Sequence, residues 1–104
     1  MENKVVYICS KYSGDIEKNS AAARDYCRMA VDMGYIPIAP HLLFPQFMCE
    51  ATERDLAISM DLVLLDKCDE IWVCGPELSK GMSIEVEYAT KKGMIIKRFE
   101  NIPA

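Results

Sequence analysis

The sequence predicts an α/β fold: a small doubly wound parallel sheet of about four strands, with helices on both faces. Two observations support this prediction. Short runs rich in β-branched and aromatic residues alternate with longer stretches whose apolar positions recur every three or four residues. The first run is apolar almost throughout, which is typical of a strand covered on both faces. Strands that alternate with helices form right-handed βαβ units, and these build a parallel sheet.

The first two strands and the helix between them have clear boundaries. Residues 4–9 form the first strand, and the small polar residues 10–15 form a loop. A helix is expected from about Ile16 or Lys18 to Met33, where Gly34 ends it. The second strand, residues 35–39, contains Pro37, which cannot donate a ladder hydrogen bond. This strand is therefore expected at or near an edge of the sheet.

Residues 40–49 are apolar but contain two prolines, and their apolar positions follow neither the helical period nor the strand period. They are predicted to be a long loop that covers a pocket. The alternative is that Phe44 and Phe47 only cap the core. His41 in this loop is placed to touch a ligand, although a single loop histidine is often incidental.

The second half repeats the alternation. A second helix is expected from Glu50 or Thr52 to about Lys67, followed by a strand over residues 69–75. A third helix begins near Gly81 and stops at Gly93, and residues 94–99 form the fourth strand. The predicted sheet is of the flavodoxin or Rossmann type, in which ligands bind outside the carboxyl ends of the strands.

Composition restricts the class of protein. The 104 residues are expected to form a single domain, residues 1–104, and the net charge of −4 without a basic run argues against nucleic acid as a partner. No signal peptide pattern and no apolar run of membrane-spanning length is present, so neither export nor a membrane is expected. Five cysteines without C-x-x-C spacing and one histidine indicate a reduced, cytoplasmic protein with no metal site and no cofactor.

Two carboxylates lie within apolar helical stripes. At 100° per residue, Glu85 falls among Met82, Val86 and Ala89, and Asp61 falls within the stripe of the second helix. A buried carboxylate is costly unless it is paired or used in chemistry, which makes both residues candidates. The alternatives are that Glu85 sits half-exposed at the edge of its stripe and that Asp61 forms a structural ion pair with Arg54.

Both helices follow loops at the expected ligand-binding edge. Two carboxylates and a tyrosine beside a pocket suit glycosyl chemistry, in which one carboxylate attacks or stabilises the anomeric carbon and the other handles a proton. Ser79 and Gly81 at the start of the third helix could form an anion cradle. The loop before the first helix offers a second cradle through Ser10, Ser13 and Gly14.

These residues resemble motifs of the nucleoside 2-deoxyribosyltransferase-like superfamily, and the chain looks like one of its small, DUF4406-like bacterial or phage members. The resemblance covers nearly the whole chain. It is carried by four segments: Val6-Tyr7-Ile8-Cys9-Ser10; Asp61 with Leu65 and Cys68-Asp69, similar to D-x-x-x-L-x-x-A-D; Ile71-Trp72-Val73-Cys74; and Ser79-x-Gly81-x-x-x-Glu85 with Ala89.

The resemblance implies a role for each matching position. Glu85 would be the nucleophile at C1′, and Asp61 would contact the sugar or relay a proton to the leaving base. Tyr7 would hold the nucleophile by a hydrogen bond, and Ser79 and Gly81 would lie near the 5′ end of the sugar. Members specific for nucleotides carry an arginine in the first loop, where this chain offers only Lys11.

Three functions follow as hypotheses. The first is an N-glycosidase or deoxyribosyltransferase, a hydrolase or transferase of nucleotide metabolism acting on a nucleoside or its 5′-monophosphate. The second is a non-catalytic nucleotide-binding module on the same fold. The third, a phosphoacceptor receiver domain, is disfavoured because Val73-Cys74-Gly75 stands where that domain needs an aspartate.

A second apolar patch on the third helix bears on assembly. Ile84 and Tyr88 lie about 160° around the helix axis from Val86, a member of the stripe that contains Glu85, by the same rotation per residue. An exposed apolar patch of this kind predicts a homo-oligomer, a dimer or larger. The alternative is that the patch packs against the chain's own tail.

Overall fold

The structure, a computed structural model, describes residues 3–101 and contains one sheet of four parallel strands in the order β2-β1-β3-β4. The strands are β1 (Val5–Cys9), β2 (Ile36–Ile38), β3 (Glu70–Cys74) and β4 (Ile95–Phe99). From β1 the chain passes to β2 on one side and then returns across β1 to β3 and β4. The predicted fold class is therefore confirmed, and β2 with its Pro37 occupies an edge as expected.

Four helices connect these strands. They are α1 (Ile16–Asp32), α2 (Pro40–Leu43), α3 (Glu50–Asp66) and α4 (Lys80–Lys91). The three long helices begin and end within one or two residues of the predicted positions, which is the usual uncertainty at helix ends. Glu53 has non-helical angles (φ −121°, ψ 18°) that bend the first turn of α3.

The expectation of an irregular loop over residues 40–49 was wrong. Residues 40–43 form α2, and a 3₁₀ turn follows at Phe44–Gln46. Each short helix has a proline in its first turn, where no backbone N–H is needed. A four-residue helix is too short to show a period, so in the sequence its proline indicates only a break. Phe44 is buried, whereas Phe47 is 66% exposed, so only Phe44 joins the interior.

The two faces of the sheet are covered by different helices. Successive residues of β1 point to opposite sides: Val6 and Ile8 toward α1, Tyr7 and Cys9 toward α3 and α4. The side chains on the α3 and α4 side form one buried cluster, to which the helices contribute Leu65, Met82 and Ala89. This alternation aims the Tyr7 ring at the helix that carries Glu85.

One buried charge lies away from this cluster. Glu70 is 2% exposed, and its carboxylate accepts a hydrogen bond from Trp72 Nε1 at 2.9 Å and pairs with Lys97 Nζ at 3.1 Å. These two donors satisfy the carboxylate, so it is accounted for by structure.

The second patch on α4 is partly engaged by the neighbouring helix. Tyr88 packs against the α3 and α4 cluster, and its hydroxyl donates to Asp66 Oδ1 at 3.1 Å. Ile84 lines a shallow depression beside it. Oligomerisation stays a prediction, and the last tail residues, 102–104, lie outside the described residues. Within residues 3–101, no helix combines the length and apolar character needed to cross a membrane.

Candidate active site

A cavity of about 290 Å³ lies at the carboxyl edge of the sheet, outside β1 and β3. Its wall is formed by the loop after β1, the segment from Pro40 to Cys49, α3 as far as Asp61, and the start of α4. The connections from β1 and β3 leave in opposite directions here, which is the topological switch point where doubly wound sheets bind ligands. The chain fold therefore brings all the segments singled out in the sequence to one cavity.

Glu85 and Tyr7 meet beneath this cavity. Glu85 lines the wall, and the Tyr7 hydroxyl donates a hydrogen bond of 2.5 Å to Glu85 Oε2. Burial raises the pKa of Glu85, although hydrogen bonds from Tyr7, Cys9 and Asp61 oppose this increase. Burial and the Glu85 charge raise the pKa of Tyr7 well above its usual value. The tyrosine is therefore a permanent hydrogen-bond donor to this carboxylate.

Asp61 faces the same cavity from α3. Its Oδ1 atom is buried, and no residue within 3–101 hydrogen bonds to it. Burial first, and then repulsion from the carboxylates of Glu85 and Glu50, raise the pKa of Asp61 to about 7. Buried oxygens almost always have a partner, so an unpartnered one that faces a cavity is suited to a ligand. Two neighbouring carboxyl groups of this kind exchange protons as a coupled pair.

The alternative of an Asp61–Arg54 ion pair is not what the structure contains. Arg54 Nη1 instead donates to Glu50 Oε1 at 2.7 Å, one turn earlier on α3. An i, i+4 pair forms within one helix at little cost in conformational entropy. Asp61 is thereby left without a cationic partner in the described chain.

His41 and Ser10 form a second polar pair in the cavity wall. Ser10 Oγ lies 2.7 Å from His41 Nε2. Burial lowers the pKa of His41 to about 4, so its ring is neutral at pH 7. A neutral ring has one donor and one acceptor nitrogen, and the Ser10 hydroxyl can pair with Nε2 in either role. The pair supplies polar contacts without charge.

Of the remaining predicted site residues, some line the cavity and others do not. Ser79, Gly81 and Ser13 line the cavity, whereas Lys11 and Gly14 are outside its wall. Ser79 caps α4, because its side-chain oxygen accepts from Met82 N at 3.2 Å. Since this hydroxyl already serves the helix, any ligand contact at this end shares its second lone pair or uses nearby backbone N–H groups.

Several wall residues were not singled out in the sequence. They are Tyr12, Met48, Cys49, Glu50, Glu53 and Lys80. The helical rotation that selected Asp61 could have found Glu50, because Glu50, Arg54 and Asp61 fall within about 40° of one another around α3, by the rule of 100° per residue. In the part of the chain that the structure describes, no three His, Cys, Asp or Glu side chains are arranged to hold a metal ion.

The raised pKa of Asp61 predicts a stability effect. Its pKa is 3.8 in an unperturbed side chain and about 7 when folded. The folded state therefore binds this proton more tightly, so the free energy of unfolding falls as pH rises through this interval. The Asp61→Asn variant has no titrating carboxyl at this position, so its free energy of unfolding does not fall for this reason as pH rises. We expect it to raise the stability at pH 8 by on the order of 1–3 kcal/mol and to give little gain near pH 4.

Thermal unfolding at both pH values measures this effect. Asp55→Asn, on the exposed side of the same helix, is the matched control and should show no pH-dependent gain. An equal gain for Asp61→Asn at both pH values would contradict the assignment of the raised pKa to Asp61.

Comparison with known proteins assigns the sequence to a family. The family model described as "Domain of unknown function (DUF7768)" matches residues 4–99. The chain belongs to this family. The match is to DUF7768 and does not support the finer expectation of a DUF4406-like member. No protein of curated function matches the sequence.

The fold of this DUF7768 chain has a solved counterpart. It is similar to the structure of "2-desoxiribosyltransferase from Leishmania mexicana", with a TM-score of 0.63 and 20% sequence identity. The similarity covers 93% of this chain and 64% of the other, so the chain spans less than two thirds of that enzyme. At this identity, the similarity establishes a shared α/β fold.

Proposed function

We propose that the protein cleaves or transfers at the N-glycosidic bond of a nucleoside or its 5′-monophosphate, with Glu85 as the nucleophile. One observation carries the proposal: at the switch-point cavity, Tyr7 holds Glu85 by a 2.5 Å hydrogen bond, and Asp61, whose Oδ1 atom has no hydrogen-bond partner within residues 3–101, faces the same cavity. The fold shared with a 2-desoxiribosyltransferase supports the same reaction class.

The proposed reaction has two steps. The ionised Glu85 carboxylate attacks C1′ and forms a glycosyl ester, while the C1′–N bond breaks and its electron pair leaves with the base. Asp61 carries a proton in the physiological range, because its pKa is about 7, and gives it to the departing base. Water or a second base then gives a proton to the Asp61 carboxylate, attacks C1′ and displaces Glu85, which leaves as a carboxylate. Atoms and charge balance without a metal or an external oxidant.

The remaining residues have positioning roles in this proposal. Tyr7, beneath the cavity, orients Glu85 and disperses its charge until C1′ approaches. The neutral pair of His41 and Ser10 offers hydrogen bonds to the base. Ser79 and Gly81, at the start of α4, face the 5′ end of the sugar. His41, Ser10, Ser79 and Gly81 all line the cavity.

The alternative function is a non-catalytic nucleotide-binding module. A binding module would use the same cavity. It remains the alternative because the structural similarity covers 64% of the neighbouring enzyme, so the rest of that enzyme lies outside the comparison. It differs from the enzyme in predicting ligand-induced thermal stabilisation without any base release.

A chromatographic assay for free base separates the two functions. Wild-type protein is incubated with a panel of ribonucleosides, deoxyribonucleosides and their 5′-monophosphates, and then with a second base added as acceptor. Base release establishes the enzyme, and a new nucleoside in the second experiment establishes transfer. Absence of release, with a thermal shift from the same compounds, would replace the enzyme with the binding module.

Tyr7→Phe tests the positioning role of Tyr7. It removes the donor to Glu85 Oε2 and keeps the ring in the core. Hydrogen bonds to charged groups are worth about 1.5–3 kcal/mol, so we expect kcat to fall roughly 10- to 150-fold. Losing the donor also raises the pKa of Glu85 further, and the low-pH limb of the rate profile should move to higher pH. A lower kcat with an unmoved limb would indicate a purely structural role for Tyr7.

A further inference from the structure

Cys9 is a buried thiol close to Glu85, and the proposed reaction gives it no role. It is the last residue of β1 and is 0% exposed. Alternate residues of a strand point to the same face, so Cys9 and Tyr7 both point toward α3 and α4, and both belong to the buried cluster on that side. β1 therefore directs two hydrogen-bond donors at the helix that carries Glu85.

The thiol lies against the first turn of α4. Its Sγ atom is 3.8 Å from the carbonyl oxygen of Met82, to which it donates a long hydrogen bond. Met82 precedes Glu85 by three residues, so the two side chains lie on the same side of the helix. From this position the thiol also hydrogen bonds to the Glu85 side chain. The carboxylate is the stronger of the two acceptors because it is charged.

Two further observations restrict what this thiol can do. Cys9 is not among the residues that line the cavity, so it can act on a bound substrate only through Glu85. Burial first, and then the charge of Glu85, raise the pKa of Cys9 well above its usual value. The thiol therefore keeps its proton and stays a donor. Because the thiolate is the reactive form of cysteine, Cys9 is not a second nucleophile.

The donors that act on Glu85 differ in how long they keep their protons. Tyr7, Cys9 and Asp61 all hydrogen bond to this carboxylate. In the proposed reaction, Asp61 gives its proton to the departing base and takes up another in the second step. For part of the cycle Asp61 therefore has no proton to donate, whereas the phenol of Tyr7 and the thiol of Cys9 keep theirs throughout.

We propose that Cys9 is a second positioning residue for the reaction: its thiol donates to the Glu85 carboxylate and, together with Tyr7, holds that carboxylate ionised and directed at C1′. This inference rests on the proposed function and adds a residue to it. A thiol is a weak donor, so Cys9 contributes less than Tyr7. Since the two donors are alternate residues of one strand, the backbone of β1 fixes their spacing.

Loss of this donor has a definite direction in pH. A hydrogen bond to the charged form of a carboxyl lowers its pKa, so removing the thiol raises the pKa of Glu85. Within residues 3–101, the other titratable side chains that hydrogen bond to Glu85 are Tyr7 from β1 and Asp61 from α3. β3 presents apolar residues to this cluster, and β4 places Arg98 where its charge acts on Cys9. With these groups unchanged, the low-pH limb of the rate profile should move to higher pH.

The experiment measures kcat/KM for base release against pH in the wild type, Cys9→Ala and Cys9→Ser. Alanine has no donor, so we expect the low-pH limb to move up by about 0.5–1 pH unit and kcat on the plateau to fall about 2- to 10-fold. Serine keeps a donor, so its limb should stay near that of the wild type. Equal shifts in the two variants would overturn the inference, because packing would then be the cause. Cys9→Val also lacks a donor, favours a strand and replaces Cys9→Ala if the alanine variant does not fold.

Cys74→Ala is the matched control. Cys74 is the last residue of β3 and is 1% exposed, and its thiol donates to the Trp72 carbonyl at 3.4 Å on the opposite face of the sheet. Its replacement removes a buried sulfur without removing a donor to Glu85. It should therefore lower the melting temperature about as much as Cys9→Ala does and leave the limb in place. A limb that moves equally in both alanine variants would refute the role of Cys9.

A readout without substrate separates this inference from the proposed function. The titration of the Glu85 carboxyl is followed by NMR on isotope-labelled glutamate side chains, and Glu85→Gln assigns its signal. If no variant releases base but the titration moves up in Cys9→Ala and not in Cys74→Ala, the proposed function fails and the hydrogen bond from Cys9 stands. If the wild type releases base but neither the limb nor the titration moves in Cys9→Ala, the inference is overturned and the proposed function stands.

Discussion

Glu85→Gln is expected to abolish base release, with a loss on the order of 10³-fold or more in kcat, because an amide cannot act as the nucleophile. The variant should remain folded. Glutamine has the same length, and its oxygen can still accept the hydrogen bond from Tyr7. Replacing a carboxylate whose pKa is raised by burial also removes a desolvation cost. Chromatography of the released base and a thermal unfolding curve together measure both expectations.

Glu87→Gln is the matched control for this prediction. Glu87 lies two residues further along α4, is exposed and pairs with Lys91 at 3.2 Å, so its loss should leave base release unchanged. A rapid acid quench with mass spectrometry adds a direct readout, since the glycosyl ester should appear on the wild-type protein and be absent from Glu85→Gln. Retention of most of the activity in folded Glu85→Gln would disprove the nucleophile assignment.

The second large effect is on the pH dependence of the reaction. The proposed reaction needs Glu85 ionised and Asp61 protonated, so its rate should follow a bell-shaped profile. The low-pH limb lies above the usual range of a glutamate, because burial raises the pKa of Glu85. The high-pH limb lies near the pKa of about 7 at which Asp61 loses its proton. As the two groups are coupled, both limbs belong to the pair.

Asp61→Asn should remove the high-pH limb and lower kcat by about 10²- to 10⁴-fold, the usual contribution of a general acid. The measurement is kcat/KM across the pH range, with a substrate panel that includes a base with a good leaving group. A base that leaves easily depends less on protonation. For a nucleoside with such a base, kcat/KM should therefore fall less in Asp61→Asn. A high-pH limb that persists in Asp61→Asn would assign the proton to another group.

Helical rotation explains why the sequence could separate the two candidate carboxylates from their neighbours. It placed Glu85 in the apolar stripe and Glu87 outside it, and Asp61 in the stripe with Asp55 and Asp66 outside it. In the structure, Glu87, Asp55 and Asp66 are exposed, whereas Asp61 and Glu85 line the cavity. A side chain's direction on a regular helix follows from its position alone, so this information is local.

The order of elements was also readable from the chain. Alternating strands and helices allow few topologies, and the chirality of βαβ units selects among them. The prediction for residues 40–49 failed for a related reason. A helix as short as α2 is stabilised by what it packs on and where its proline falls, and neither leaves a period in the sequence.

The sequence by itself determined the strands, the long helices and the inward direction of Glu85 and Asp61, because these depend on spacing over a few residues. Only the tertiary structure decided which partners meet. Tyr7 and Glu85 are 78 positions apart, and their hydrogen bond depends on the pairing of β1 with β3 and the packing of α4. Arg54 had two acidic neighbours at helical spacing and pairs with Glu50, which leaves Asp61 open to the cavity. Contacts between distant segments are set by packing of the whole chain, which local periodicity does not encode.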